Sequence, residues 1–186
     1  WGHDLSSLAR NYQLIAQARP LLRNGDLVLR TGNDFISLSL RLFSLKDQTY
    51  SHCGLDLVEN GKAYVYHAIG GEDDPGRPLQ KDTFEAFCDP HNNLGFGIFR
   101  YDLPSKANRQ LMQAALQYYQ RHTPFDMQFR LAGDDSLYCS EFVYRCLLKA
   151  TDDSSYIPLT RIRDFVFVAV DNLFMNAHCR PVFRAQ

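Results

Sequence analysis

Three side chains in the sequence have types and neighbours that suit nucleophilic chemistry. Cys139 lies in the run Tyr-Cys-Ser-Glu, where a loop is predicted to enter a helix, and His52 and His67 lie on two short segments with strand-like patterning. A helix N-terminus carries partial positive charge, which favours the thiolate form of a cysteine and lowers its pKa. A nearby neutral histidine can accept the thiol proton. These residues together predict a cysteine nucleophile with a histidine base.

A predicted β-hairpin brings the two histidines together. Residues 51–58 alternate apolar and polar side chains with the period of a half-buried strand, and Asn60-Gly61 then suits a two-residue type I′ turn into a second strand. With that turn, Gly54 faces His67, and His52 becomes a diagonal neighbour of His67, roughly 7 Å away at the backbone. Two imidazoles so placed can act as a base and its orienting group.

Each of these residues also has a structural interpretation. A single histidine on a strand is more often structural than catalytic, and cysteines commonly fill small buried spaces. Burial suits Cys53 and Cys146 better than Cys139, because both lie among apolar neighbours. The joint placement of two histidines and a nucleophile favours a site over three unrelated structural residues.

Four motifs, in a consistent order, resemble a known family. They are Gly25–Arg30 (GDLVLR), Tyr50–Leu55 (YSHCGL), Pro124–Asp126 (PFD) and Leu137–Val143 (LYCSEFV). This array resembles the YiiX/YebB-like branch of permuted NlpC-type cysteine peptidases, to which lecithin:retinol acyltransferases are similar. The resemblance implies an α+β, circularly permuted papain-like (NlpC-type) fold, in which a small antiparallel sheet packs against helices and the histidine strand precedes the cysteine helix.

The resemblance also implies roles for individual residues. Cys139 matches the nucleophile and His52 the base, while His67 falls where relatives commonly carry Glu or another polar residue. A histidine can orient His52, but it lacks the full negative charge of a carboxylate. The implied reaction is hydrolysis of an amide through an acyl-enzyme, with the peptide stem of bacterial peptidoglycan as a candidate substrate. The alternatives are acyl transfer or hydrolysis on a lipid or thioester, and a non-catalytic binding module.

Other residues near the motifs are expected to support the site. The backbone N–H of Cys139, at the helix start, is a natural oxyanion donor. Asp126 is equally well placed to line the substrate cleft or to anchor its own loop, and Tyr138 and Tyr50 are expected beside the cleft. Glu141 is interpreted as a helix-dipole and packing residue.

Hydrophobic periodicity predicts the elements that would position these residues. Helices are expected over about 4–22, 33–45, 83–87 and 105–122 and from Cys139 onwards, with strands over 27–30 and 94–101 and an edge strand over 179–184. In the second of these helices, Ile36, Leu40 and Phe43 would face inward. Residues 159–176 fit a helix, although Phe165 to Val170 has strand propensity.

Length and composition indicate one domain. The chain has 186 residues, of which 45% are apolar, with thirteen Phe and ten Tyr, enough to fill one core. We therefore expect a single domain over 1–186, with residues 1–24 as an N-terminal helical brace. Five cysteines cannot all pair, so at least one free thiol is expected.

Charge and motifs restrict the classes of partner and substrate that we expect. The formal net charge is −1 and the twenty Lys and Arg are scattered, so neither nucleic acid nor an anionic membrane is predicted as a partner. A peptide or acyl-lipid substrate is expected, with no cofactor and no metal, since the paired aspartates lack the spacing of a calcium site. No apolar run is long enough to cross a membrane. Because the chain opens on Trp-Gly, a removed leader is conceivable, and an exported or periplasmic location is favoured over the cytoplasm.

Overall fold

The structure is a computed structural model, and it describes residues 5–71 and 73–185. Among these residues, the strands are β1 (Leu27–Gly32), β2 (His52–Glu59), β3 (Lys62–His67), β4 (Gln80–Thr83), β5 (Asn93–Tyr101), β6 (Thr160–Ile162), β7 (Phe165–Phe167) and β8 (Cys179–Ala185). The main sheet has the strand order β4-β3-β2-β1-β5-β8, and each neighbouring pair is antiparallel. Strands β6 and β7 form a separate antiparallel hairpin.

Helices cover both faces of the main sheet. They are α1 (Leu5–Ala18), α2 (Phe35–Leu40), α3 (Phe84–Phe87), α4 (Ser105–Gln120), α5 (Cys139–Thr151) and α6 (Val170–Phe174). Buried side chains of α4, α5 and α6 pack against one face, and those of α1 and α3 against the other. This is the α+β architecture predicted from the sequence. No helix within the described residues is long and apolar enough to cross a membrane.

The β2–β3 hairpin forms with the predicted register. Glu59 pairs with Lys62, and the turn residues Asn60 and Gly61 have φ angles of 51° and 76°, as a type I′ turn requires. A Cβ added to Gly54 would lie 3.0 Å from the Cβ of His67 and 2.6 Å from a methyl of Val65. Only glycine fits this close approach, so Gly54 allows β3 and the Cβ of His67 to pack closely against β2.

Helix α5 also begins where the sequence predicted, at Cys139. Its expected inner face is buried, namely Phe142, Val143, Cys146, Leu147 and Ala150. Helix α4 begins at the predicted Ser105, but Pro104 occupies the N-cap position and no side-chain capping bond forms. The N-terminal helix packs Ile15 and Ala18 against the sheet, as a brace would. The first residues of that predicted helix lie outside the described residues.

Two predicted elements differ from the structure, and one observed strand was not predicted. The helix expected over 33–45 is only α2 followed by a 3-10 turn, and Ile36 and Phe43 are 59% and 49% exposed, so the prediction that they face inward is wrong. The tail expected as one helix over 159–176 is the β6–β7 hairpin followed by short α6. There, strand propensity outweighed helical spacing, with a turn at Arg163 (φ 54°). Strand β4, whose residues are all polar, was not predicted.

Candidate active site

A chain of hydrogen bonds joins three side chains across β2, β3 and β4. Nε2 of His52 lies 2.8 Å from Nδ1 of His67, and Nε2 of His67 lies 2.9 Å from Oδ2 of Asp82. The carboxylate can only accept, so His67 donates through Nε2–H. Nδ1 of a neutral His67 then accepts from Nε2–H of His52. This order of donors leaves Nδ1 of His52 as the ring nitrogen with a free lone pair.

Asp82 is the member of this chain that sequence reasoning missed. It lies on edge strand β4 opposite Val65, which makes it a diagonal neighbour of His67. The hydrogen bond from His67 is the main cause that lowers the pKa of the Asp82 carboxyl. The sequence signal was weak, because Asp82 only ends a polar run before Thr83, the N-cap of α3.

Burial keeps both imidazoles neutral. His52 and His67 are only 8% and 1% exposed. Burial lowers the pKa of His52 well below its usual value, and the charge of Arg30 lowers it further. Burial also lowers the pKa of His67, against the hydrogen bond to Asp82, which raises it. Neutral rings at ordinary pH suit a general base, which needs a free lone pair.

Arg30 is a second residue that the sequence did not single out. It pairs with His52 across β1 and β2, donates to the carbonyl of Phe87 at 2.9 Å, and lies 4.6 Å from the centre of the Phe87 ring. Its positive charge interacts favourably with a thiolate at Cys139. Arg30 therefore adds to the positive potential that favours an ionised cysteine.

Cys139 lies at the start of α5, against β2. Hydrogen bonding by the Cys53 side chain is the largest influence on its pKa and lowers it. Burial opposes this effect, while backbone N–H groups of Ser140 and Cys53 add to it. Cys53 directly follows His52 along the chain, so the thiol meets β2 one residue from the histidine. Cys139 is a buried residue, with 8% of its surface exposed.

Contacts from the C-terminal segment hold the start of α5 in place. The Ser140 hydroxyl donates to the carbonyl of Val168 at 2.6 Å, and the Tyr138 hydroxyl accepts from the Val168 N–H at 2.9 Å.

Fully buried Glu141 pairs with Arg145 at 3.1 Å, and burial raises the pKa of Glu141 to about 7. Glu141 thus serves α5 as a packing residue, in line with its interpretation from the sequence.

The three residues expected beside the cleft instead have structural contacts. Tyr138 is 2% exposed, and Tyr50 is fully buried and accepts from Arg184 at 3.3 Å, so neither side chain lines an open cleft. Both belong to the core because aromatic neighbours enclose them. Asp126 accepts from the backbone N–H groups of Gln128 and Arg130, each at 2.8 Å, so it anchors its own loop.

The remaining cysteines are unlike Cys139. Burial raises the pKa of the Cys88, Cys146 and Cys179 thiols, and no disulfide links the cysteines in the described part of the chain. Within residues 5–71 and 73–185, no three His, Cys, Asp or Glu side chains converge where they could hold a metal ion.

The chain is similar to a known protein family and to proteins of Escherichia coli. The family model described as permuted papain-like amidase enzyme, YaeF/YiiX, C92 family, matches residues 21–162, which include β2, β3, β4 and α5. Uncharacterized protein YiiX of Escherichia coli (strain K12) is 27% identical over 126 residues, which are 66% of this chain and 56% of that protein. The chain thus aligns with little more than half the length of this relative.

A solved structure shares the fold. The crystal structure of metalloprotein yiiX from Escherichia coli O157:H7 matches with a TM-score of 0.71 and 18% identity, over 88% of this chain and 97% of that one. At this level of identity, the match shows that the two chains share a fold. This chain therefore belongs to the permuted papain-like amidases of the YaeF/YiiX, C92 family.

Proposed function

We propose that this protein is a cysteine amidase or peptidase in which Cys139 is the nucleophile and His52 the general base. The observation that carries the proposal is the His52–His67–Asp82 chain, which orients His52 and leaves its Nδ1 free. Membership of an amidase family supports the reaction class. The lowered pKa of Cys139, beside the strand that carries His52, supports the choice of nucleophile.

The proposed reaction has two steps. Nδ1 of His52 takes the proton of Cys139, and the thiolate attacks the carbonyl carbon of an amide to form a C–S bond. The backbone N–H of Cys139 stabilises the oxyanion, and the protonated His52 gives its proton to the nitrogen as the C–N bond breaks. In the second step, His52 activates a water molecule, which hydrolyses the thioester and restores the thiol.

Asp82 supplies the negative charge that a second histidine cannot. When His52 becomes charged, its Nε2–H donates to His67, and His67 donates in turn to the carboxylate of Asp82. This arrangement stabilises the imidazolium through one intervening ring, where other triads use a carboxylate directly. His67 and Asp82 are thus positioning residues that act through His52.

The proposed substrate is a peptide amide, such as the stem peptide of bacterial peptidoglycan. The test is to incubate the protein separately with purified stem peptides and with a diacyl phospholipid, and to identify the products by mass spectrometry. We expect amide cleavage by the wild type and none by Cys139→Ala with its fold retained by circular dichroism. Cleavage of the lipid ester alone would replace the amidase proposal with an acyl hydrolase, and full activity in Cys139→Ala would refute the nucleophile.

A further inference from the structure

Large apolar side chains are exposed together where the segment 36–45 meets the β6–β7 hairpin. Seven of them are each between 40% and 68% exposed, namely Ile36, Leu38, Leu42, Phe43 and Leu45 on the segment and Ile162 and Phe165 on the hairpin. We call these seven side chains the apolar surface. Single exposed hydrophobic residues are ordinary, whereas a contiguous group of them indicates an interaction site.

Contacts between aromatic rings make the apolar surface contiguous. The ring of Phe43 lies edge-on to that of buried Phe167, with 6.0 Å between their centroids, and the ring of Phe165 stacks on Phe167 at 5.3 Å. Phe165 also pairs with Ile162 across the hairpin, so these two side chains lie on one face. The segment 36–45 and the hairpin therefore present one surface to solvent.

Hydrogen bonds hold the two parts of this surface together. Buried Asp171, in α6 shortly after the hairpin, accepts from the backbone N–H groups of Lys46 and Asp47 at 2.7 and 3.3 Å. The N–H of Asp171 donates to the Ser44 hydroxyl at 3.4 Å. The apolar surface is thus formed before any partner binds, so binding does not have to order it.

Positive charge surrounds the apolar surface. The runs 35–46 and 159–163 contain four cations and no acid, the cations being Arg41, Lys46, Arg161 and Arg163. Lys46, Arg161 and Arg163 are exposed. None of the four forms an ion pair with a carboxylate in residues 5–71 and 73–185.

Two of the three acids that border these runs already have partners. Asp34 caps α2 and accepts from the N–H and the hydroxyl of Ser37, and Asp47 pairs with Arg184 at 3.7 Å. The third, Asp164, is exposed. Unpaired cations therefore exceed acids around the apolar surface. The net charge of −1 for the whole chain, from which no anionic membrane was expected, conceals this local excess.

We propose that the apolar surface binds an anionic phospholipid bilayer. The exposed Leu, Ile and Phe side chains enter the boundary between headgroups and acyl chains, and the four cations contact the headgroup phosphates. The hairpin leads directly into Val168, which bonds to Tyr138 and Ser140 at the start of α5. Membrane binding therefore places the proposed active site close to lipid, although the binding itself does not depend on the proposed function.

Sedimentation with lipid vesicles tests the proposal. One set of vesicles contains phosphatidylcholine alone, and the other contains equal parts of phosphatidylcholine and phosphatidylglycerol. We expect the wild type to bind the anionic vesicles more strongly and added salt to weaken that binding, because salt screens the attraction. Leu42→Asn combined with Leu45→Asn should lower binding to the anionic vesicles about 10-fold or more. Lys46→Gln should lower it about 5-fold and leave binding to phosphatidylcholine unchanged.

Leu21→Asn and Arg10→Gln are the matched controls. Both side chains are exposed on the N-terminal helical segment, which packs on the sheet through Ile15 and Ala18. Each control should bind vesicles as the wild type does, and circular dichroism checks the fold of every variant. An equal loss of binding in Leu21→Asn would contradict the location of the contact.

Two other outcomes would overturn the proposal. The first is a wild type that sediments with neither kind of vesicle, or a double leucine variant that binds as well as the wild type. The second is a wild-type dimer in analytical ultracentrifugation that the double leucine variant dissociates, without any vesicle binding. That result would assign the apolar surface to a second copy of the chain.

Discussion

Replacement of Asp56 by Asn is expected to stabilise the protein. Asp56 lies on β2, on the face that also carries His52, and it is fully buried. Neither of its carboxyl oxygens has a hydrogen-bond partner within the described residues. Burial raises its pKa to about 8, and the negative charges of Asp26 and Glu85 contribute. The folded protein must therefore hold this carboxyl protonated at neutral pH.

The size of the effect follows from proton linkage. An unfolded Asp has a pKa near 3.8, so the folded state binds this proton more tightly by about 4 pKa units. The contribution of this bound proton to the free energy of unfolding is complete below about pH 4. It is lost at about 1.4 kcal/mol per pH unit as the pH rises toward 8. At about pH 7 the loss is about 4 kcal/mol. Asp56→Asn removes this loss of stability at neutral pH, because an amide does not ionise.

Urea unfolding followed by circular dichroism measures this difference. We expect Asp56→Asn and wild type to have similar free energies of unfolding at about pH 4.5, with the variant more stable by several kcal/mol at about pH 8. Exposed Asp73→Asn is the matched control and should leave the pH dependence unchanged. A difference between Asp56→Asn and wild type that is the same at both pH values would refute the reasoning.

Substitutions at three further positions test the site. Asp82→Asn should lower kcat about 10- to 100-fold with little change in KM, since it removes the carboxylate charge that acts on His52 through His67 but leaves His52 itself. An unchanged kcat would make Asp82 irrelevant to catalysis. Cys53→Val should raise the pKa of Cys139 and slow its alkylation at low pH. Cys53→Ser keeps a hydrogen-bond donor and should restore the alkylation rate. Equal rates in both variants would contradict the hydrogen bond from Cys53 to Cys139. Gly54→Ala should destabilise the protein by about 1–3 kcal/mol in urea unfolding and displace His67, and wild-type stability would contradict the close packing.

The parts of the fold predicted from sequence are those specified locally. The Asn60-Gly61 turn and the alternation before it set the hairpin register, and that register brings His52 to His67. Helix α5 was recognisable because its apolar face recurs at helical spacing after a loop that ends at Cys139. In these places a few neighbouring residues determine the geometry.

The features that were missed depend on contacts between distant segments. Asp82 lies on a polar edge strand that exists only because it pairs with β3, and the contact of Cys53 with Cys139 depends on how α5 packs on β2. Exposed Ile36 has the spacing of a core residue, yet α2 lies where little of the chain covers it. The local sequence pattern does not specify contacts between distant segments, so the roles of these residues could be identified only in the three-dimensional structure.

The most direct test of the central claim is the reactivity of the Cys139 thiol. Whole-protein mass is measured after brief exposure to limiting iodoacetamide at about pH 6, for wild type, Cys139→Ala and His52→Ala. An activated nucleophile predicts rapid single labelling in the wild type, none in Cys139→Ala and slow labelling in His52→Ala, with the label in peptide 131–145. Slow labelling that neither substitution changes would contradict a catalytic Cys139 and indicate a binding module on the same fold.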